Sequence, residues 1–289
     1  MTDPALSFVP DGSIRLEEAG FARVAALAER EAGLTIPQSK AAMVQSRLSR
    51  RLRATGHQDF ESYLAHVESA SGQDERDQMI SALTTNVSHF FREEHHFDKL
   101  RSEILPPLLD RARGGGRVRI WSAGCSTGQE PYSLAITLLE MSRDVARHDI
   151  RILATDIDRG ILKKATSGVF DSRQMGGLSE AQIATYFQSQ PGGSTYTVTD
   201  QVKDLIAFRR LNLIDPWPMQ GRFDVILCRN VVIYFSAATQ KTLWPRFAQA
   251  LMPGGWFFLG HSERIQDESK NLFHSDGITT YRLKTSPND

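Results

Sequence analysis

The chain has 289 residues, 40% hydrophobic and 24% charged, an ordinary soluble globular composition with material for one large domain and a small one. Lys+Arg and Asp+Glu stand at 34 each, so no bulk charge draws it to nucleic acid or a membrane surface, and any electrostatic role must come from local clustering. Its two cysteines, Cys125 and Cys228, are too few for a disulfide framework and lack metal-ligand spacing. The opening MTDPALSFVPDG has no signal-peptide pattern, and no apolar run reaches the ~20 residues that span a bilayer. A cytoplasmic protein without membrane insertion is expected.

Residues from about Ser13 to Asn86 read as all-helical. Leu16, Phe21, Val24, Leu27 and Ala28 recur at helical spacing and Gly33 suits a helix stop. A second helix starts near Pro37, with Ser39 as its cap, and runs through Met43, Val44, Leu48 and Leu52 to Gly56. A third carries Phe60, Tyr63, Leu64 and Val67, and a fourth runs from about Asp74 to Leu83.

From Gly116 the pattern alternates. VRIWSAG (118–124), IRILATDID (150–158), IAFRRLNL (206–213), FDVILCRN (223–230) and WFFLGH read as strands, with helical segments between them. This alternation predicts an α/β fold, an open and mainly parallel sheet covered on both faces. ITTYRLK is expected as a last, antiparallel edge strand, and MPGG as the turn before WFFLGH. Trp244-Pro245 inside a helical stretch (237–251) predicts a kink or a helix start. The segment between Gly168 and Leu205 is too long for a simple crossover: a Gly-Gly pair, a short helix at 179–187, the turn PGGS and the strand candidate TYTVTD predict a small β-containing excursion.

In an open α/β sheet, ligands bind at the carboxyl ends of the strands. The loop AGCSTGQE (123–130) follows the first strand, and Gly124 and Gly128 permit a tight turn and close approach to a ligand. The spacing is not G-x-G-x-x-G, and Gly-Gln-Glu stands where a phosphate-binding loop needs its lysine, so a dinucleotide or triphosphate is disfavoured. Taken alone the loop is as readily a tight connection. Asp156 ends the second strand, where a carboxylate accepts hydrogen bonds from ribose hydroxyls; its competing reading is a helix cap.

Five blocks, TTNVSHFFREEHHF (84–97), WSAGCSTGQEPYS (121–133), ATDID (154–158), CRNVVIYF (228–235) and GHSE (260–263), resemble chemotaxis receptor methyltransferases of the CheR type, in that family's order and over nearly the whole chain. The resemblance implies an α/β fold with a small all-helical N-terminal receptor-recognition domain (13–85), a linker and first helix (86–115), and a Rossmann-like class I methyltransferase domain (116–289) with an inserted β-subdomain at about 169–205. It implies S-adenosylmethionine as cofactor, S-adenosylhomocysteine as product, and glutamate side chains of chemoreceptors as acceptors. Cofactor contacts carried over from the resemblance are Asn86, Ser88 and Arg92, Gly124 and Glu130, Asp156, Asn212 and Leu213, and Arg229 and Asn230. Ser88 stands where a threonine is common in relatives and keeps the hydroxyl. Arg92 and Tyr234 would flank the transferred methyl as catalytic residues. From the residues alone, Arg92 is as readily a surface partner of Glu93 or Glu94, and Tyr234 a half-buried strand-end aromatic.

The chemistry suits this constellation. A glutamate carboxylate, with an unperturbed pKa of ~4.3, is ionised near neutral pH, so its methylation requires alignment, water exclusion and charge control, but no general base. His89, His95 and His96 lie near Arg92 without a Cys or carboxylate triad at ligand spacing, so no metal is expected, and His261 reads as structural. Lys40, Arg47, Arg50, Arg51 and Arg53 form a basic stripe, with Arg47, Arg50 and Arg51 on one helical face. The plain reading is a solvated surface. The functional one makes Arg47, Arg50, Arg51 and Arg53 a docking face for the glutamate-rich methylation helices of chemoreceptors.

Some relatives bind a receptor's C-terminal pentapeptide through the β-subdomain. The stretch QSQPGGSTYTVTD looks short for that, so independence of the tether is expected, as is a monomer. Alternatives are a nucleic-acid or small-molecule methyltransferase, disfavoured by neutral charge and by Asp215-Pro216-Trp217 lacking a second proline, and a non-catalytic sensor of the cofactor.

Overall fold

The structure, a computed structural model, describes residues 14–190 and 192–285. The first thirteen residues, Pro191 of the PGGS turn and the last four residues of the expected catalytic domain lie outside the described residues. The chain divides into two compact units after Thr85.

The N-terminal unit packs α1 (Glu18–Ala32), α2 (Ala41–Ala54), α3 (Phe60–Glu68) and α4 (Gln73–Leu83). Their apolar stripes meet at Val24, Leu27, Leu48, Leu64, Val67 and Met79, all essentially inaccessible. Gly33 closes α1 in the left-handed conformation. Ser39 caps nothing: it lies inside a 3-10 turn (Gln38–Lys40) that runs straight into α2, so no helix starts at its hydroxyl.

The second unit begins with α5 (Glu94–Lys99), a π-helical turn (Leu100–Ile104) and α6 (Leu105–Arg113). Then β1 (Val118–Ala123), α7 (Gln129–Met141), β2 (Ile150–Asp156) and α8 (Arg159–Ser167) alternate. The excursion follows: β3 (Val169–Asp171), α9 (Glu180–Tyr186), β4 (Phe187–Ser189) and β5 (Thr195–Val198). It forms an antiparallel sheet of order β3-β5-β4. A short α10 (Asp200–Lys203) leads to β6 (Ile206–Arg210), and β7 (Phe223–Cys228), α11 (Ala237–Ala250), β8 (Leu251–Leu259), β9 (Phe273–Ser275) and β10 (Thr280–Leu283) complete the chain. The main sheet runs β6-β2-β1-β7-β8-β10-β9, parallel as far as β8. The mixed sheet is Rossmann-like.

Several local expectations need correction. The strand in ITTYRLK, β10, is antiparallel but internal, because β9 pairs with its far side and takes the edge. MPGG is not a free turn; it lies within β8, where the pairing slips between Phe223 opposite Leu251 and Val225 opposite Trp256. No helix starts at Trp244-Pro245: α11 is capped by Ser236 and runs through Pro245. Burial of Trp244 and Phe247 on either side outweighs the hydrogen bond that proline cannot donate. The strand expected over 206–213 ends at Arg210, leaving Asn212 and Leu213 in the loop beyond it.

Candidate active site

On one side of β1 lie β2 and β6, on the other β7 and β8, so the strand order reverses between β1 and β7. At such a switch point the loops leaving the carboxyl ends of neighbouring strands part and open a crevice. Gly124 follows β1, Asp156 ends β2, Asn212 and Leu213 follow β6, and Arg229 and Asn230 follow β7. All are brought to one edge of one sheet.

Gly124 and Gly128 both have positive φ (82° and 98°). At Gly124 a Cβ would lie 2.4 Å from Val231 Cγ2, so only glycine lets the β1 and β7 loops close on each other. The Thr155 carbonyl accepts both Gly124 and Cys125 N–H at 2.8 Å, pinning the loop to β2. The Asp156 carboxylate accepts Ser126 N–H (2.9 Å) and Asp158 N–H (3.0 Å). The cap of α8 is Asp158, which accepts from Gly160 and Ile161, so the helix-cap reading of Asp156 falls away. Burial pushes the Asp156 carboxyl above the usual range, and its N–H donors pull the other way.

Arg229 is the hub. Its side chain is 2% exposed and pairs with Glu130 (3.0 Å) and Glu93 (3.4 Å). It also donates to the Arg92 carbonyl. Glu130 further accepts the Ser122 hydroxyl at 2.6 Å, and burial pushes its carboxyl up against the pull of Arg229. Burial would raise Glu93 as well, but the Arg229 charge and the His261 N–H hold it below the usual range. The guanidinium thus ties the Gly loop, the 86–93 linker and the β7 loop together, and its planar fork suits three directions at once.

The linker is held from several sides. Arg92 donates to Val87 O at 3.1 Å and makes no ion pair with Glu93 or Glu94 among the described residues. Phe91 and Glu93 sit at positive φ (52° and 59°), and Phe91 N–H donates to Ser133 Oγ. Phe90 is buried edge-on against Phe170 and Phe187, which joins the linker to the inserted β-sheet. Asn86 and Ser88 are half-buried on the same stretch.

Trp217 and Arg246 both donate to Leu213 O (3.1 and 2.7 Å), and Arg246 stacks on the Trp217 ring. They fix the loop carrying Asn212 and Leu213. Tyr234 is half-buried on a 3-10 turn (Val232–Tyr234) just beyond Asn230. His96 is fully buried, with Nε2 on Thr279 Oγ1 and Ile278 O, and burial lowers its pKa to about 3, so the ring is neutral. His261 is exposed and turned to Glu93.

Four groups that hold these loops have no counterpart among the site residues expected from sequence: Glu93, Trp217, Arg246, and Glu263, whose carboxylate accepts the N–H groups of Asn230, Val231, Ile233 and Gly260. Glu93 and Glu263 stand inside two of the resembling blocks. Nothing in a carboxylate's local sequence shows that it will turn inward onto backbone N–H groups or a distant guanidinium.

The basic stripe of the first unit separates into two kinds of residue. Arg47 Nη1 donates to the carbonyls of Ala82, Leu83 and Thr84, closing the end of α4. Arg51 forms a two-pronged pair with buried Glu75, which also accepts the Tyr63 hydroxyl. Arg50, Arg53 and Lys40 are exposed.

A profile described as "CheR methyltransferase, SAM binding domain" matches residues 86–282, and "CheR methyltransferase, all-alpha domain" matches residues 19–84. The chain belongs to the CheR methyltransferase family. A "Probable chemotaxis protein methyltransferase" of Rhizobium etli is 49% identical over 257 residues, 88% of this chain and 96% of that one. The "Chemotaxis protein methyltransferase" of Salmonella typhimurium is 38% identical over 93% of this chain and 92% of its own. "Chemotaxis protein methyltransferase 2" of Pseudomonas aeruginosa is 39% identical over 87% and 88%. The chain is an S-adenosylmethionine-dependent methyltransferase of chemotaxis, with an all-helical N-terminal domain. No helix among the described residues is long and apolar enough to cross a membrane.

The residues at the crevice suit this methyltransferase's cofactor. The crevice is lined by the carboxylates of Asp156 and Glu130 and by Ser126 Oγ, which is buried without a partner among the described residues, and such a polar lining fits a cofactor that carries a ribose diol and an ammonium.

Proposed function

We propose that this methyltransferase esterifies glutamate side chains of chemoreceptors, in the cytoplasm. One observation supports a carboxylate as the acceptor. The acidic groups of the site are already engaged: Glu93 and Glu130 by Arg229, Asp156 by Ser126 and Asp158 N–H. Burial pushes both thiols, Cys125 and Cys228, well above their usual range. None of these carboxylates and thiols is free to act as a base, and an acceptor that is ionised at neutral pH requires none.

S-adenosylmethionine, when bound, would supply an electrophilic methyl on a sulfonium, open to in-line attack by a carboxylate oxygen that forms the ester C–O bond as the C–S bond breaks and a neutral thioether leaves. In this reading Asp156 holds the ribose, with Asn86, Ser88, Glu130, Asn212, Leu213 and Asn230 around the rest. Arg229, whose two Nη groups meet Glu130, Glu93 and the Arg92 carbonyl while its buried Nε has no hydrogen-bond partner among the described residues, shapes the pocket. Arg92 orients the acceptor carboxylate through its planar fork, and Tyr234 lines the methyl's path. A strong ion pair to Arg92 would stabilise the ground state, so its part is orientation more than neutralisation. The decisive experiment is transfer of labelled methyl from the cofactor to receptor-containing membranes. A base-labile protein label is expected; label in nucleic acid or small molecules, or none, would refute the reading.

The helical unit (13–85) is proposed as the receptor-recognition domain. Arg47 and Arg51 are engaged inside it, so docking to an acidic methylation helix falls to Lys40, Arg50 and Arg53. Charge reversal at Arg50 and Arg53 is expected to raise KM for receptor about tenfold, with cofactor affinity and melting temperature unchanged. Unchanged receptor kinetics would remove the docking role. We further propose independence of a C-terminal receptor pentapeptide, since β4 and β5 are joined by a short connection in which Gln190 N–H already pairs with Thr195 O. Titration calorimetry with such a peptide is expected to show no heat of binding, and clear binding would refute independence.

A further inference from the structure

Glu263 lies just beyond β8 and is 3% exposed. Its carboxylate accepts four backbone N–H groups from two loops. Oε2 takes Asn230 (2.8 Å) and Gly260 (2.6 Å); Oε1 takes Val231 (2.9 Å) and Ile233 (3.2 Å). Three of these donors belong to the short stretch after β7, and the turn they begin ends on Tyr234. Within that stretch Asn230 has φ 59°, a left-handed conformation uncommon outside glycine that asparagine adopts more readily than most side chains. At Gly260 a Cβ would lie 2.4 Å from Asn230 Nδ2 and 2.7 Å from its backbone nitrogen. The glycine thus lets the two loops lie against each other with the carboxylate between them.

The bonding uses the carboxylate fully. Each oxygen serves two donors, and among the described residues no other side chain accepts from those four N–H groups. A glutamine there would turn an NH2 group onto one pair of N–H groups, and an aspartate would fall one methylene short of the stretch. In both variants the left-handed turn at Asn230 loses part of what holds it, and the position of Tyr234 becomes an average over several loop conformations.

We propose that Glu263 is a positioning residue for methyl transfer, its carboxylate clamping residues 230–233 so that Asn230 meets the cofactor and Tyr234 the methyl's path. The proposal rests on the roles given above to those two residues. It assigns Glu263 no contact with cofactor or substrate.

The test uses the full chain with E263Q, E263D, Tyr234→Phe and the double variant E263Q/Tyr234→Phe, each assayed well below its own melting temperature. Both Glu263 variants are expected to lose about 100-fold in kcat, the scale of a displaced catalytic group, with KM for receptor within about twofold. Calorimetry with S-adenosylhomocysteine is expected to show about tenfold weaker binding in both. In the Tyr234→Phe background E263Q should cost less than about threefold further, because the group it positions is already gone. A fall in melting temperature alone, with kcat and product affinity unchanged, would make Glu263 merely structural and overturn the proposal. So would an undiminished kcat loss in the Tyr234→Phe background. Wild-type kcat in Tyr234→Phe alone would instead remove the role given to Tyr234, and product affinity in E263Q would then decide the Asn230 half of the clamp.

Discussion

Arg229→Ala is expected to lower the stability of the methyltransferase by about 3–5 kcal/mol, the cost of breaking a buried ion pair from one side. The variant leaves Glu93 and Glu130 facing each other across a buried space without their shared cation, and frees the Arg92 carbonyl. For a unit of this size the melting temperature should fall by about 10 °C. Binding of S-adenosylhomocysteine should become undetectable, because the linker and the Gly loop lose their common anchor. Arg229→Lys restores charge without the planar fork, so it should recover part of the stability and little of the binding. Differential scanning calorimetry and titration calorimetry on the two variants read both effects. A shift of a degree or two in Arg229→Ala would mean that the network contributes little.

Asp156→Ala is expected to weaken S-adenosylhomocysteine binding about 100-fold, since hydrogen bonds to a charged group contribute about 1.5–3 kcal/mol. The same variant strands the N–H groups of Ser126 and Asp158, so part of the loss is a loosened Gly loop. Asp156→Asn keeps the shape and one acceptor and should lose about tenfold. Affinity reduced less than threefold in Asp156→Ala would leave the ribose without its proposed anchor. A pH corollary follows from the burial that raises this carboxyl. As pH falls, Asp156 takes up its proton before exposed carboxylates do, so product affinity should decline early. Stability linked to the same group moves the opposite way: it is greatest below the unfolded pKa and is lost as pH rises through the folded one.

The gathering of a Gly-rich turn and a strand-end carboxylate at one crevice was legible because it depends on short-range rules. A strand that ends in Gly-rich chain and a second that ends in an acidic residue place Gly124 and Asp156 on one sheet edge in any parallel arrangement. The family blocks supplied what periodicity does not carry, the methyl donor and the expectation, kept as a proposal, that Arg92 and Tyr234 flank the methyl. The basic stripe was legible only as a stripe. Helical spacing says that Arg47, Arg50 and Arg51 share a face, but not that α4 lies beside it to engage Arg47 and Arg51. Ser39 and the edge strand were misread for a related reason: cap and edge rules are local, and the packing of neighbouring elements overrode both.

By itself the sequence determined the helical region, the alternating α/β order, the inserted β-excursion and the glycine and carboxylate that mark the crevice. These follow from residue type and period along the chain. Only the tertiary structure decided that Arg229 faces Glu93 and Glu130, and that Glu263 gathers N–H groups around Asn230. Those partners lie tens to more than a hundred residues apart, and a charge's partner is set by which loops the closed sheet brings within hydrogen-bond reach. The same long-range packing ties the methyltransferase's linker, Gly loop and β7 loop together through Arg229.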